Sequence, residues 1–322
     1  MDEVRLRVIE LLMEGEQSGQ AIAERLGVSR AAVWKHLKAW QDQGLAIAGS
    51  PRRGYRLLEK PDFLFPQRVH AGLTTRQLGQ NLDCHFQVDS TNLRAKQLAR
   101  QGAPHGTLVL TERQTGGRGR MQRSWSSPPG GIYLSLVLRP ELPPQQAFRV
   151  TMIAAVALRE AIAALGADAA IKWPNDVLVG GRKVCGMLSE LDGSMERVEW
   201  LVVGIGINAN VEPEELPGDA LCHATTLKGE LGHPVERIAL VNGFLCRLEA
   251  LLAQPFSGVA QAYREHMALL GKSVRIIQGE RVRAGVLEAV DDEGALLLRE
   301  EGGALTRVLA GDVSLRGETA YV

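Results

Sequence analysis

Lys172-Trp173-Pro174-Asn175-Asp176-Val177-Leu178-Val179-Gly180-Gly181-Arg182-Lys183-Val184-Cys185-Gly186 is the stretch that decides the fold. Gly180-Gly181 between two apolar runs signals a two-residue β-hairpin, because the turn that matches strand twist wants positive φ at both central positions. A hairpin pairs its strands antiparallel, so a sheet built around it is mixed rather than doubly wound. The turn also sets Lys183 just past its end and Asn175-Asp176 at the start of the preceding strand.

Outward from the hairpin, apolar runs predict strands over 84–88, 107–112, 132–138, 170–173, 177–179, 184–191 and 199–207. Helical periodicity marks 91–100, 145–165, 234–253 and 259–270. Residues 63–270 therefore read as one core of helices and a mixed sheet. Gly204-Ile205-Gly206-Ile207-Asn208-Ala209 matches the dinucleotide fingerprint, which demands a helix immediately afterwards. Pro213 and Pro217 argue against that helix, and the Rossmann reading is rejected. No Gly-x-x-x-x-Gly-Lys-Ser/Thr phosphate loop and no Gly-x-Ser-x-Gly elbow occur, and the seven histidines show no metal-ligand spacing.

Upstream of the hairpin runs Gln114-Thr115-Gly116-Gly117-Arg118-Gly119-Arg120-Met121-Gln122-Arg123-Ser124-Trp125. Arginine presents a planar fork suited to carboxylate and phosphate oxygens, and glycine lets backbone approach a ligand. The segment reads as a loop, mobile alone, that closes on an anion; a solvated basic loop is the bland alternative.

The two ends of the chain read as separate units. Residues 1–60 begin with an apolar-faced helix ending near Gly15, then a helix over 20–26 stopped by Gly27, then one over 30–40 capped by Ser29. Runs at 45–48 and 55–58 flank a Gly/Pro/Arg turn and read as a hairpin wing. From Arg25 to Arg56 there are seven Lys/Arg against one acid, Asp42. This is a winged helix-turn-helix with a basic face, and the candidate DNA contacts are Gly19, Gln20, Ser29, Arg30, Lys35, His36, Lys38, Arg52 and Arg53. A bare three-helix bundle is the alternative. Lys60-Pro61-Asp62 is the expected linker. Residues 271–322 carry short strands at 274–277, 282–287, 295–299, 305–309 and 313–315 and read as a small β-barrel.

Composition adds bounds. The chain has 322 residues, zero formal net charge and four dispersed cysteines (Cys84, Cys185, Cys222, Cys246). A polyanion site must then be a local patch, and a disulfide framework or zinc site is disfavoured in favour of a reducing, cytoplasmic setting. The longest apolar run, 150–158, is nine residues and too short to span a bilayer.

Taken together, Gly117-Arg118-Gly119-Arg120-x-x-Arg123-x-Trp125, Lys172-Trp173-Pro174-Asn175-Asp176, Lys183-x-x-Gly186 and Gly204-Ile205-Gly206-Ile207-Asn208 resemble the signature set of the biotin protein ligases. With the N-terminal segment, the likeness extends over essentially the whole chain to the family's bifunctional branch, which also represses the biotin operon. One position departs: Gln122 stands where the family has glycine. Having less backbone freedom, Gln122 is expected to leave the empty loop more ordered.

The resemblance implies an α+β multidomain fold: a winged helix-turn-helix, a central core akin to class II aminoacyl-tRNA synthetases and a C-terminal SH3-like barrel. It implies ATP-dependent formation of biotinyl-5'-AMP, with Mg²⁺ accompanying ATP, and transfer to a lysine of a biotin carboxyl carrier protein domain. Operator DNA and a homodimer promoted by biotinyl-AMP are the further partners implied. Biotin binding falls to Ser90, Thr91, Asn92, Gln114, Arg118, Gly119, Arg120, Lys183 and Gly186. ATP and adenylate binding falls to Arg118, Arg120, Arg123, Trp125, Lys172, Asn175, Asp176, Lys183 and Asn208. Lys183 is the catalytic cation. The residues themselves leave plainer alternatives open: Ser90 as a helix N-cap, Trp125 as core, Asn175 as a turn former and Lys183 as an exposed hairpin lysine. A lipoate ligase of the same superfamily and a non-catalytic ligand-sensing transcription factor are the rival functions.

Overall fold

Apolar residues at helical spacing, punctuated by glycine and serine, build the first of two units. The computed structural model describes residues 3–42, 45–50, 53–59, 61–216, 223–278, 280–309 and 313–317. Contacts divide the chain into Met1–Phe65 and Pro66–Val322.

In the first unit, helices α1 (Glu3–Met13), α2 (Gly19–Leu26) and α3 (Arg30–Gln41) precede a hairpin of β1 (Ile47–Ser50) and β2 (Gly54–Leu57). Ser18 and Ser29 each accept an N–H of the following first turn, so both serines cap as their positions demand. Val8, Ile9, Ile22, Val33, Leu37 and Trp40 are buried between the helices. The wing's first strand starts two residues later than 45–48, because the Leu45 N–H is taken by the Trp40 carbonyl at 3.1 Å. The unit also runs past the expected linker: Phe63 stacks on Trp40, with ring centroids 5.4 Å apart, and meets Phe65 edge-on.

The second unit begins with α4 (Pro66–Ala71), a one-turn element too short for periodicity to announce. Then follow β3 (Leu82–Val88), α5 (Thr91–Arg100), β4 (Thr107–Gln114), β5 (Ile132–Leu138), α6 (Phe148–Ala163), β6 (Ala169–Lys172), β7 (Asp176–Val179), β8 (Arg182–Gly193) and β9 (Val198–Ile207). The strands form one sheet ordered β3-β4-β5-β9-β8-β7-β6, with β3 and β4 parallel and the rest antiparallel. Gly180 (φ 58°) and Gly181 (φ 73°) turn β7 into β8, with Val179 opposite Arg182. No helix follows Asn208 directly; the next helical piece among the described residues is a single 3₁₀ turn, Pro213–Glu215.

Helices α7 (Leu227–Leu231), α8 (Arg237–Leu252) and α9 (Phe256–Glu265) complete the core. The last ends five residues before the expected 270. Met267 pairs instead with Ile171 at the edge of β6, so its apolar side chain is buried by a bridge rather than by a helix.

Five strands, β10 (Ser273–Gln278), β11 (Arg281–Val290), β12 (Leu296–Glu300), β13 (Leu305–Val308) and β14 (Val313–Gly317), form an antiparallel sheet ordered β13-β12-β11-β10-β14. The expected boundary at 270/271 is a change of sheet within the second unit. Arg264 donates to the Val290 carbonyl (3.1 Å), and Trp173 lies buried with its indole N–H toward the Gly294 carbonyl. No described helix is long and apolar enough to cross a membrane.

Candidate active site

The sheet lays out the site floor. Ser135, Gly204 and Leu188 form one cross-strand row, and Tyr133, Gly206 and Gly186 form the next. Directly paired residues share a face, so glycine at three of these six positions leaves a trough where side chains would stand. A Cβ on Gly204 would run into the Asn92 amide, and one on Gly206 into the Trp125 indole. Helix α5 covers the adjoining part of the same face, packing Ala95 and Ala99 on Val109, Val137 and Val202. The remaining space is a cleft of about 820 Å³. Ser90, Thr91, Asn92, Gln114, Arg118, Gly119, Arg120, Arg123, Trp125, Lys172, Asn175, Asp176, Lys183, Gly186 and Asn208 all line it.

One end of the cleft is neutral and hydroxyl-rich. Ser90 is buried and stands at the N-cap of α5, yet its side chain makes no cap hydrogen bond. The plain capping alternative therefore fails at this serine. The Thr91 N–H donates to Gln114 Oε1 (2.8 Å), and Gln114 Nε2 donates to Ser127 Oγ (2.8 Å), which fixes the glutamine amide. Asn92 is held harder. Its Nδ2 donates to Glu190 Oε2 (2.9 Å) and to the Leu188 carbonyl (3.2 Å), and its Oδ1 faces Ser135 Oγ at 2.6 Å. With both amide hydrogens used, Asn92 shapes the pocket through Oδ1 and the groups it positions. Lys96 Nζ donates to Glu190 Oε1 at 2.5 Å. Burial works to raise the Glu190 carboxyl, but hydrogen bonds from Lys96 and Asn92, with the charges of Lys96 and Arg118, hold it below the usual carboxylate range. Sequence reasoning missed Glu190, Lys96, Ser127 and Ser135. A hydroxyl inside the apolar run Ile132–Leu138 was the one available signal.

The other end is cationic. Lys183 Nζ lies 2.7 Å from Asp176 Oδ1, with both side chains 14% exposed, and 5.2 Å from the Trp125 ring centroid. An ammonium so enclosed is no exposed hairpin lysine. The buried Trp125 Nε1 has no hydrogen-bond partner and lies against Gly206 in the cleft floor. Asn175 spends Nδ2 on the Met187 carbonyl (2.6 Å) and accepts from Arg120 Nη1 (2.9 Å), tying the arginine loop to the hairpin. Lys172 is 2% exposed and sits opposite Asp176 in register; Asn208 is oriented by its bond to the Thr225 carbonyl. Arg118 and Arg123 are exposed on the loop.

The loop is itself a small hairpin, with Gly119 N–H to the Arg123 carbonyl (2.8 Å) and Trp125 N–H to the Gly117 carbonyl (2.9 Å). Its tip residues Met121 (φ 55°, ψ 39°) and Gln122 (φ 58°) are both left-handed. The expected effect of Gln122 therefore changes sign: a glutamine opposes this turn, whereas glycine would accept it.

In the first unit, Arg30, Lys35 and Lys38 are exposed on α3, with Lys38 paired to Asp42 at 3.1 Å. Gln20 is exposed and donates to Glu24, and Arg53 is exposed beside the wing. Ser29 is spent as the cap, Gly19 is buried and His36 is half-buried, so these three support the surface more than they offer side chains to it. Arg52 lies outside the described residues, as do Lys60, Cys222 and Pro217.

The glycine-floored sheet, arginine loop and enclosed hairpin lysine make a site suited to activating a carboxylate, as a ligase does, and comparison with known proteins narrows the class. Residues 85–208 match the biotin/lipoate A/B protein ligase family, residues 4–56 a helix-turn-helix domain and residues 269–316 the biotin protein ligase C-terminal domain. A bifunctional ligase/repressor BirA of Bacillus subtilis is 36% identical over 92% of this chain and 93% of its own length. That of Escherichia coli is 31% identical, over 97% of each chain. The structure of the Aquifex aeolicus biotin protein ligase in complex with biotin and ATP superposes with a TM-score of 0.65 at 31% identity, covering 74% of this chain and all of that one. The chain belongs to the biotin protein ligase family, in the branch that carries an N-terminal helix-turn-helix domain.

Proposed function

We propose that the protein joins biotin to a lysine of a biotin carrier domain in two steps and represses transcription through its first unit. The observation that carries this reading is the single cleft, neutral and hydroxyl-rich at one end and cationic at the other, spanned by a glycine floor.

Biotin's ureido ring offers two N–H donors and one carbonyl acceptor. Ser90, Thr91 and the fixed Gln114 amide supply complementary neutral groups, and the trough over Gly204 and Gly206 accepts the fused ring system. The biotin carboxylate then points toward Lys183 and the arginine loop. One carboxylate oxygen attacks the α-phosphorus of ATP, the bond to the β-phosphate oxygen breaks, and pyrophosphate leaves. This step needs no protein nucleophile, only positioning and fixed positive charge where negative charge gathers. Lys183 is the central cation, with Asp176 keeping its ammonium aimed. Arg118, Arg120 and Arg123 hold carboxylate and phosphate oxygens, and Trp125, Asn175 and Asn208 present a ring wall and amides to the adenine.

Mg²⁺ fits as part of the ATP substrate. Asp176 is the one carboxylate among the described cleft residues, and magnesium commonly takes one or two carboxylates plus phosphate oxygens. It would neutralise polyphosphate charge. In the second step the carrier lysine's ε-amine attacks the mixed anhydride carbonyl, an amide forms, and AMP leaves. The Mg²⁺ requirement, the carrier, a cytoplasmic setting and adenylate-promoted dimerisation on operator DNA belong to the proposal.

The test is incorporation of radiolabelled biotin into the purified carrier domain of an acetyl-CoA carboxylase, with AMP release followed alongside. Stoichiometric, ATP-dependent labelling of one lysine is expected. No labelling, or equal labelling with lipoate, would overturn the substrate assignment.

A further inference from the structure

We infer that Trp34 reads a thymine in the DNA major groove and sets part of the repressor's sequence preference; this rests on the DNA-binding reading of the first unit. Among the described residues Trp34 is the one large aromatic that is exposed, at 59%. Tryptophan is usually well buried, so an indole left in water asks for a partner. Nothing in the helix bundle requires it there, since α3 turns Val33, Leu37 and Trp40 into the core and leaves Trp34 outside it.

Its surroundings point to the partner. Arg30, Trp34 and Lys38 follow at four-residue spacing and share one stripe of the helix, with Ala31 and Lys35 exposed beside it. Ser29 caps this helix, which is the second of the helix-turn-helix pair and therefore the one expected in the major groove. The flanking cations match a phosphate backbone on either side. A ring between them meets base edges, and the apolar feature of the major groove is the thymine C5-methyl. The indole carries a donor but no acceptor, so it contributes apolar contact rather than a two-bond code. Ala31, with a single methyl one turn earlier, leaves room for the ring to lie flat against the bases.

The experiment uses the full chain with biotin and ATP. A random-sequence duplex pool is selected by the natural protein and by Trp34→Ala, and the best duplex is then remade with each thymine replaced in turn by deoxyuridine, which removes only the methyl. The natural protein should show a thymine in each half-site at which deoxyuridine weakens binding about fourfold, the loss of one buried methyl contact. Trp34→Ala should select the same half-sites with that position degenerate and be indifferent to deoxyuridine there. Its salt dependence should not change, because no phosphate contact is removed. Trp34→Phe should retain part of the preference. Identical selected sequences and identical deoxyuridine sensitivity for both proteins would overturn the assignment. So would loss of self-association in Trp34→Ala, which would make the ring a protein contact. Failure of the natural protein to enrich any duplex would overturn the DNA-binding reading, and the role of Trp34 with it.

Discussion

Lys183 and Glu190 each give a separate prediction. Lys183 is enclosed by Asp176 and the Trp125 ring, so its charge is already in place before substrate arrives. Lys183→Ala should leave the circular dichroism spectrum unchanged and lower adenylate formation by roughly 10²–10³-fold, the cost of one preorganised transition-state donor. Pyrophosphate exchange near the natural rate would remove it from that role. Glu190 acts at one remove, through Asn92. Its carboxyl is held below the usual range, so its bonds to Lys96 and Asn92 are complete above the ordinary glutamate value of 4.5 and are lost only as pH falls through the depressed value. Biotin affinity measured by calorimetry should accordingly stay flat from neutral pH down into the ordinary carboxylate range. Glu190→Gln should raise the KM for biotin severalfold while the KM for ATP and kcat stay close to natural. A matching rise in both KM values would indicate general damage.

At the level of elements, the hairpin between β7 and β8 was legible because two glycines between apolar runs admit few other structures. The strand Ile132–Leu138 and helix Thr91–Arg100 were equally legible, since each has one unbroken pattern. Helix α4 and the end of α9 were not: the first is one turn long, and beyond the second Met267 is buried by a strand bridge that periodicity cannot distinguish from another helical turn. The cleft-lining residues were legible through motif spacing, whereas Glu190, Lys96, Ser127 and Ser135 matter only because the fold sets them behind Asn92 and Gln114. In the proposed mechanism the arginine loop is the element on which retention should depend. Arg120 bonds Asn175 across the cleft, so it ties the loop down as well as being the proposed phosphate contact. Arg120→Gly removes a charge-assisted bond of roughly 1.5–3 kcal/mol. It should release biotinyl-adenylate into solution and biotinylate bystander proteins. Adenylate formed without any stray labelling would count against this.

Over the whole molecule, the division at Phe65 separates the basic helix-turn-helix from every cleft residue. Removing residues 1–65 should abolish operator binding and keep carrier labelling measurable; sequence-specific DNA binding by the truncated protein would refute that division of labour. One basic face of one unit should bind DNA weakly, so the proposed repression calls for two copies on a two-fold site. In the proposed switch, ordering the loop before association would lower the entropy lost at the interface and couple adenylate to dimerisation by about 1–3 kcal/mol. Sedimentation with and without biotin plus ATP should show the dimer constant shifting severalfold to a hundredfold. If the adenylate-bound loop keeps its left-handed Met121-Gln122 tip, the loop would act as a clock. Residues other than glycine at such a turn raise its free energy by roughly 1–2 kcal/mol each, so the proposed repressing state should drain soon after biotin runs out. A glycine at 122 would wind that clock for longer, delaying derepression in a cell whose carriers are still hungry for biotin.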